Sequence, residues 1–192
     1  MSQNLSTSLT PTAASAGWLR QLALVLGGTA LLSASSYVSI PMHPVPVSMQ
    51  TFAVLMIGAL YGWRLGTITV LAWLLEAALG LPVLAGGAGG IAPFMGPTAG
   101  YLFAFPVGAA LMGWLAARGW NGARPLRAFW AMLACTTLIL LLGGAWLAAL
   151  IGPAKGWLLG VQPFLIGDVV KSAMGGATLV LGHTARSRLP RA

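Results

Sequence analysis

The chain has 192 residues, of which 58% are hydrophobic and only 6% charged, against about 45–50% and about 25% in soluble domains. Such a surface could not stay dispersed in water, so the composition excludes a soluble protein and leaves one compact membrane bundle with no room for a second domain. The net charge of +8 does not support nucleic-acid binding, because the arginines sit at the ends of apolar stretches and form no basic patch along one element.

Residues 1–17 are rich in Ser, Thr and Ala, with no basic residue before Arg20. They resemble neither a secretory signal nor a basic transit peptide and are expected to form a disordered lead. A spanning helix needs roughly 20 mainly apolar residues, about 17 at the short end. The first stretch of that kind runs from about Trp18 to Ile40. On it Thr29 with Ser33, and Ala30 with Ala34, form overlapping small-xxx-small pairs, a face that a second helix can approach closely. Whether that helix belongs to the same bundle or to a partner is open at this point.

The loop Met42 to Ser48 follows, where Pro44 and Pro46 cannot sustain a helix. Residues 49–81 are too long for one span and too short for two of ordinary length. Tyr61-Gly62-Trp63-Arg64 is the natural break, predicting two short helices over about 49–62 and 64–81. A Gly-rich loop from Pro82 to Pro97 leads to a fourth span, about Thr98 to Ala117. Arg118 to Arg127 make a polar connection to a fifth span ending near Leu150, and a loop from Ile151 to Val161 precedes the sixth, about Gln162 to His183. Thr184 to Ala192 form a basic tail. The predicted fold is thus all-α and integral to the membrane: six transmembrane helices within residues 18–183, a lead at 1–17 and a tail at 184–192.

All eight arginines then fall on one side: Arg20, Arg64, Arg118, Arg124 and Arg127, with Arg186, Arg188 and Arg191 in the tail. In a loop on the other side only Lys155 is basic. The positive-inside rule makes the arginine side, and with it both termini, cytoplasmic. The opposite loops, 42–48, 82–97 and 151–161, are Pro- and Gly-rich and almost uncharged. Loops of that kind can fold inward over a cavity, so the ligand-facing surface is expected there.

Several chemistries have no residues to support them. No Gly-Lys-Ser/Thr occurs, so the run Gly86-Gly87-Ala88-Gly89-Gly90 is not a phosphate-binding loop and the chain is not expected to use ATP itself. His43, His183, Cys135, Glu76 and Asp168 are scattered and suggest no metal site. Two acids in all give no proton relay or cation pore. The lone Cys135 excludes an intrachain disulfide and reads as a buried structural thiol. Neither an enzyme nor a channel fits.

The last span carries the informative polar residues, Asp168 and Lys171. Each ionisable group at mid-membrane costs about 2.5–3.5 kcal/mol on insertion scales, and a spacing of three places both on one helix face. They could form a self-neutralising bridge, but such a bridge often stabilises no more than apolar residues would. A carboxylate only accepts and an ammonium only donates, so together they suit a ligand with N–H donors beside a carbonyl, or with an acid group. Glu76 in the third span is a candidate partner for Lys171 or a ligand contact. Trp73, Tyr101, Phe52, Phe94, Phe103 and Met95 are candidates to line an apolar pocket.

At four places the chain resembles the BioY family, the biotin-specific substrate-binding (S) components of energy-coupling factor transporters. These are Pro44-Val45-Pro46-Val47-Ser48-Met49-Gln50-Thr51, and Gly80-Leu81-Pro82-Val83 leading into the double glycines at Gly86 to Gly90. Gly96-Pro97-Thr98-Ala99-Gly100-Tyr101-Leu102 is the third, and Gly167-Asp168 with Lys171 the fourth. Their order and spacing cover residues 20–182. Met49 stands where a leucine is common and Ala99 where a glycine is usual, and neither change removes a polar function.

The resemblance implies biotin capture at the outer face and release to the cytoplasm, with Asp168 and Lys171 at the ligand. Asp168 would accept a ureido N–H, and Lys171 would donate to the ureido oxygen or hold Asp168 in place. Gln50 and Tyr101 would be polar contacts near the mouth. It further implies a transmembrane coupling (T) protein docked on the face around Ala30 and Ala34, a pair of cytoplasmic ATPases, and a tilt of the whole subunit on ATP turnover. Biotin is cargo, and no cofactor is implied. The competing readings are an S component for riboflavin or thiamine, and a stand-alone secondary carrier. Self-association with slow unaided uptake is compatible with all of this.

Overall fold

The computed structural model describes residues 13–188. Residues 1–12 of the expected lead and 189–192 of the expected tail lie outside the described residues. Residues 13–17 already belong to α1 (Ala13–Tyr37), and the last helix runs through the expected boundary at His183 to Arg188.

The proline-rich stretch after α1 cannot be helical, yet its backbone polar groups need partners near the membrane. Its two ends provide them. β1 (Ser39–Ile40) and β2 (Val47–Ser48) pair antiparallel, Ser39 opposite Ser48 and Ile40 opposite Val47. The Met49 amide adds a 3.0 Å bond to the Val38 carbonyl. Apart from this ladder of two residues on each strand, the regular structure of the described residues is helical, as expected.

The next helix, α2 (Gln50–Ala78), is interrupted at Gly62, whose φ of 79° and ψ of 171° suit glycine. The chain folds back there: a Cβ on Gly66 would collide with the backbone of Ile57 and Gly58, eight residues earlier, so the halves cross in backbone contact. These halves, residues 50–61 and 63–78, are about 18 and 24 Å long at 1.5 Å per residue. Both are shorter than a usual span, as the length of 49–81 foretells.

The glycine-rich loop is tied down throughout. Trp73 Nε1 donates to the Val83 carbonyl at 3.2 Å, the Tyr37 hydroxyl to that of Pro82 at 2.7 Å, and the Gly90 amide to that of Ala77 at 2.7 Å. Within the loop the short α3 (Ala92–Met95) leads to α4 (Ala99–Ala117), and Trp146 Nε1 holds the joint through the Gly96 carbonyl at 3.0 Å.

The fifth expected span is α5 (Pro125–Ile151), opened by a proline at its first position, where the missing N–H costs nothing. Its 27 residues reach about 40 Å, beyond the ~30 Å hydrocarbon core. At Gly152 (φ 91°) the chain reverses, and α6 (Pro153–Gly160) runs back along the projecting turns, Gly156 against Ala148. The predicted loop 151–161 is therefore mostly helix. Its glycines, Gly156 and Gly160, allow close packing rather than flexibility. α7 (Leu165–Arg188) completes the bundle.

Four helical runs among the described residues are long and apolar enough to cross a membrane: Gln50–Ala78, Ala99–Ala117, Pro125–Ile151 and Pro153–Ala185. With α1 and the fold in α2, the bundle has six long helical segments. Its centre holds Trp73, Leu55, Ile57, Met112 and Met132, all essentially inaccessible. Leu60, Ile68, Trp130 and Ile166 face outward, as residues meeting lipid would. One end gathers the basic positions, since Gly113 meets Trp63 beside Arg64, and Gly122 meets Leu179 and His183.

Candidate ligand-binding site

At the other end two of the expected loops, 42–48 and 82–97, and four helices surround a cavity of about 330 Å³, to which residues 151–161 contribute no lining, within the roughly 300–1,000 Å³ of small-molecule sites. Val45 and Gln50 line it from the hairpin and α2, and Leu84 and Ala88 from the glycine-rich loop. Tyr101 and Phe105 come from α4, Thr136 and Ile139 from α5, and Phe164 from the turn before α7. The walls are mainly apolar. Asp168 and Lys171 stand on the first turns of α7 and supply its charge.

These two residues are 6% and 7% exposed, and Lys171 Nζ lies 3.6 Å from Asp168 Oδ1. That separation is an ion pair just beyond hydrogen-bond length. No other ion pair occurs among the described residues. The pair thus neutralises itself by Coulomb attraction without using the acceptor sites of the carboxylate or the three protons of the ammonium on each other. Those valences face an enclosed, largely apolar space. One residue on, the Ser172 hydroxyl is fully buried with no hydrogen-bond partner, so this face of α7 is polar beyond what its own neighbours satisfy.

Gln50 and Tyr101 also line the cavity, but their polar atoms are already engaged. Gln50 Nε2 donates to Ser36 Oγ at 3.0 Å, and its Oε1 accepts from Ser48 Oγ at 2.8 Å. It ties α1, the hairpin and α2 together at the rim. The Tyr101 hydroxyl donates to the Gly160 carbonyl and anchors the end of α6, while its ring passes over Gly143, where any Cβ would collide with it. The structure therefore brings together Asp168, Lys171, Gln50 and Tyr101.

Glu76 is apart from them. It is half-buried near the end of α2, outside the cavity wall, and Lys171 pairs with Asp168 rather than with it. Ala30 and Ala34 are exposed on α1, whereas Thr29 is buried against the bundle. The two overlapping pairs of small residues thus point in different directions.

Among the six residues expected to line a pocket, only Tyr101 does so. Trp73 lies in the core beside Phe105, Phe52 and Phe94 are half-buried against it, and Phe103 and Met95 face outward. Phe105, Phe164 and Thr136 take the cavity positions instead. Helical spacing could have found two of them, for Phe105 follows Tyr101 by four and Phe164 precedes Asp168 by four. Thr136, on another helix, carries no such signal. Among the described residues no cluster of three His, Cys, Asp or Glu could hold a metal, and Cys135 is buried in α5.

The BioY family model matches residues 2–188. A probable biotin transporter of this family from Pyrococcus horikoshii is 38% identical over 154 residues, covering 80% of this chain and 90% of its own length. A biotin transporter from Rhizobium etli is 36% identical over 157 residues, with coverages of 76% and 83%. The crystal structure of the S-component for biotin from an ECF-type ABC transporter superposes with a TM-score of 0.78 at 27% identity, covering 88% of this chain and 93% of that one.

Proposed function

The chain belongs to the BioY family, and from that premise we propose that it is the biotin-capturing S component of an ECF-type transporter in a bacterial inner membrane. One observation carries the assignment to this site: a buried Asp–Lys pair, neutral as a unit, whose hydrogen-bonding capacity opens into an apolar cavity. Biotin is the complement of such a surface. Its ureido ring has two N–H donors flanking one carbonyl, and its thioether ring and chain are apolar.

Asp168 accepts a ureido N–H, and Lys171 donates to the ureido oxygen while holding the carboxylate. The aromatic and aliphatic walls take the apolar ring. Gln50 and Tyr101 act through position, keeping the rim and α6 closed around the ligand. The subunit itself performs no covalent chemistry. Having no phosphate-binding loop, it draws energy from a cytoplasmic ATPase pair through a transmembrane coupling protein, which docks on the exposed face around Ala30 and Ala34. The arginine-rich end and both termini face the cytoplasm.

Equilibrium binding of biotin, riboflavin and thiamine to the purified subunit tests the ligand. Tight biotin binding is expected, and retention of either other vitamin in its place would overturn the assignment. Uptake by vesicles holding the chain alone, without any ATPase, would favour a secondary carrier.

A further inference from the structure

The arginine end carries a second concavity, about 300 Å³, where the fold in α2 crosses α4. Trp63, Ala110, Leu111 and Trp114 line it, all of them apolar. Both tryptophans are about half exposed, and each has a guanidinium over its ring. Arg64 Cζ lies 4.9 Å from the Trp63 centroid, and Arg118 Cζ lies 3.5 Å from that of Trp114. Neither arginine has a carboxylate partner among the described residues. The only two acids of the chain, Asp168 and Glu76, belong to the cavity end.

Position and charge decide what fits here. An apolar groove at an exposed helix crossing, in a band of tryptophans beside arginines, lies where the hydrocarbon meets the headgroups. The groove accepts an acyl chain. The two guanidiniums, each seated over an indole, can offer N–H donors to phosphate oxygens. A zwitterionic lipid would bring its own cation against the two arginines, and an anionic one would not. We propose that this groove is a binding site for an anionic phospholipid, with its phosphate on Arg64 and Arg118 and one acyl chain along Trp63, Leu111 and Trp114. Basic pockets between transmembrane helices are a recognised setting for such headgroups.

The test is native mass spectrometry of the full chain released from vesicles of equal phosphatidylglycerol and phosphatidylcholine. The wild type should retain phosphatidylglycerol over phosphatidylcholine. The double variant Arg64→Gln, Arg118→Gln should lose that retention by about 30-fold, the scale expected for two surface arginines. Arg124→Gln with Arg127→Gln removes equal charge from the same end and should keep it. Trp114→Ala should weaken it in part, through loss of the stacked platform. Biotin binding by each variant reports folding independently. Equal losses in the two double variants would reduce the effect to general surface charge and overturn the site. So would equal retention in both, including the case where the groove serves the coupling protein and only ATP-driven uptake falls.

Discussion

Asp168 and Lys171 are affordable at this depth because each cancels the other's charge, but 3.6 Å of separation leaves both short of hydrogen bonds. Asp168→Asn removes a charged acceptor, worth about 1.5–3 kcal/mol, so the biotin dissociation constant should rise about 10- to 150-fold. Expression and membrane insertion should persist. An unchanged constant by titration calorimetry would remove Asp168 from the site. Ser172 is the opposite case. Its orphaned hydroxyl disfavours the folded state, so Ser172→Ala should leave the thermal midpoint of the ligand-free subunit equal or higher. A large fall would mean that the hydroxyl has a partner. The charged pair could be read directly from the sequence because ionisable residues are rare in an apolar span. Thr136 and Phe105 could not, since threonine and phenylalanine are unremarkable there and only the approach of α4 and α5 gives them a common space.

The helices illustrate why glycine was readable at some positions and misleading at others. Gly62 stands beside Trp63 and Arg64 in a stretch of awkward length, and the fold in α2 occurs there. Gly152 and Gly156 lie in a segment with the composition of a loop, yet they close α5 and let α6 lie on it. Close approach sets the shape of the site as well. Gly143→Val would drive a side chain into the Tyr101 ring, an overpacking that costs about 1–3 kcal/mol. It should lower the thermal midpoint and abolish biotin binding together. Gly27→Ala, on the open face of α1 with nothing within 4 Å, should change neither. Binding that survives in Gly143→Val would show that the α4–α5 contact does not shape the cavity.

The whole bundle is polar at its two ends in different senses: guanidiniums at one, a ligand cavity under uncharged loops at the other. The proposed orientation can be checked by labelling. Lys155→Cys on α6 should react with an impermeant maleimide in intact cells, and Ala123→Cys only after permeabilisation, while Cys135 is buried and silent. The reverse pattern would invert the topology. A bulky Ala34→Trp should spare binding by the isolated subunit, because Ala34 is exposed, and reduce ATP-driven uptake with the partners. Loss of binding instead would place that face inside the bundle.

Composition, span lengths and arginine placement are local or additive properties. The sequence by itself therefore determined a membrane bundle, its sidedness as an expectation, and the two ionisable residues that a span does not carry without cause. Which aromatic rings meet those residues, that Glu76 does not, and that α6 is helix rather than loop depend on how helices cross. Crossings are chosen by contacts between residues far apart in the chain, such as Gly143 beneath Tyr101 and Gly58 beneath Ala109. No periodicity within one segment encodes them, so only the tertiary structure decided the shape of the site.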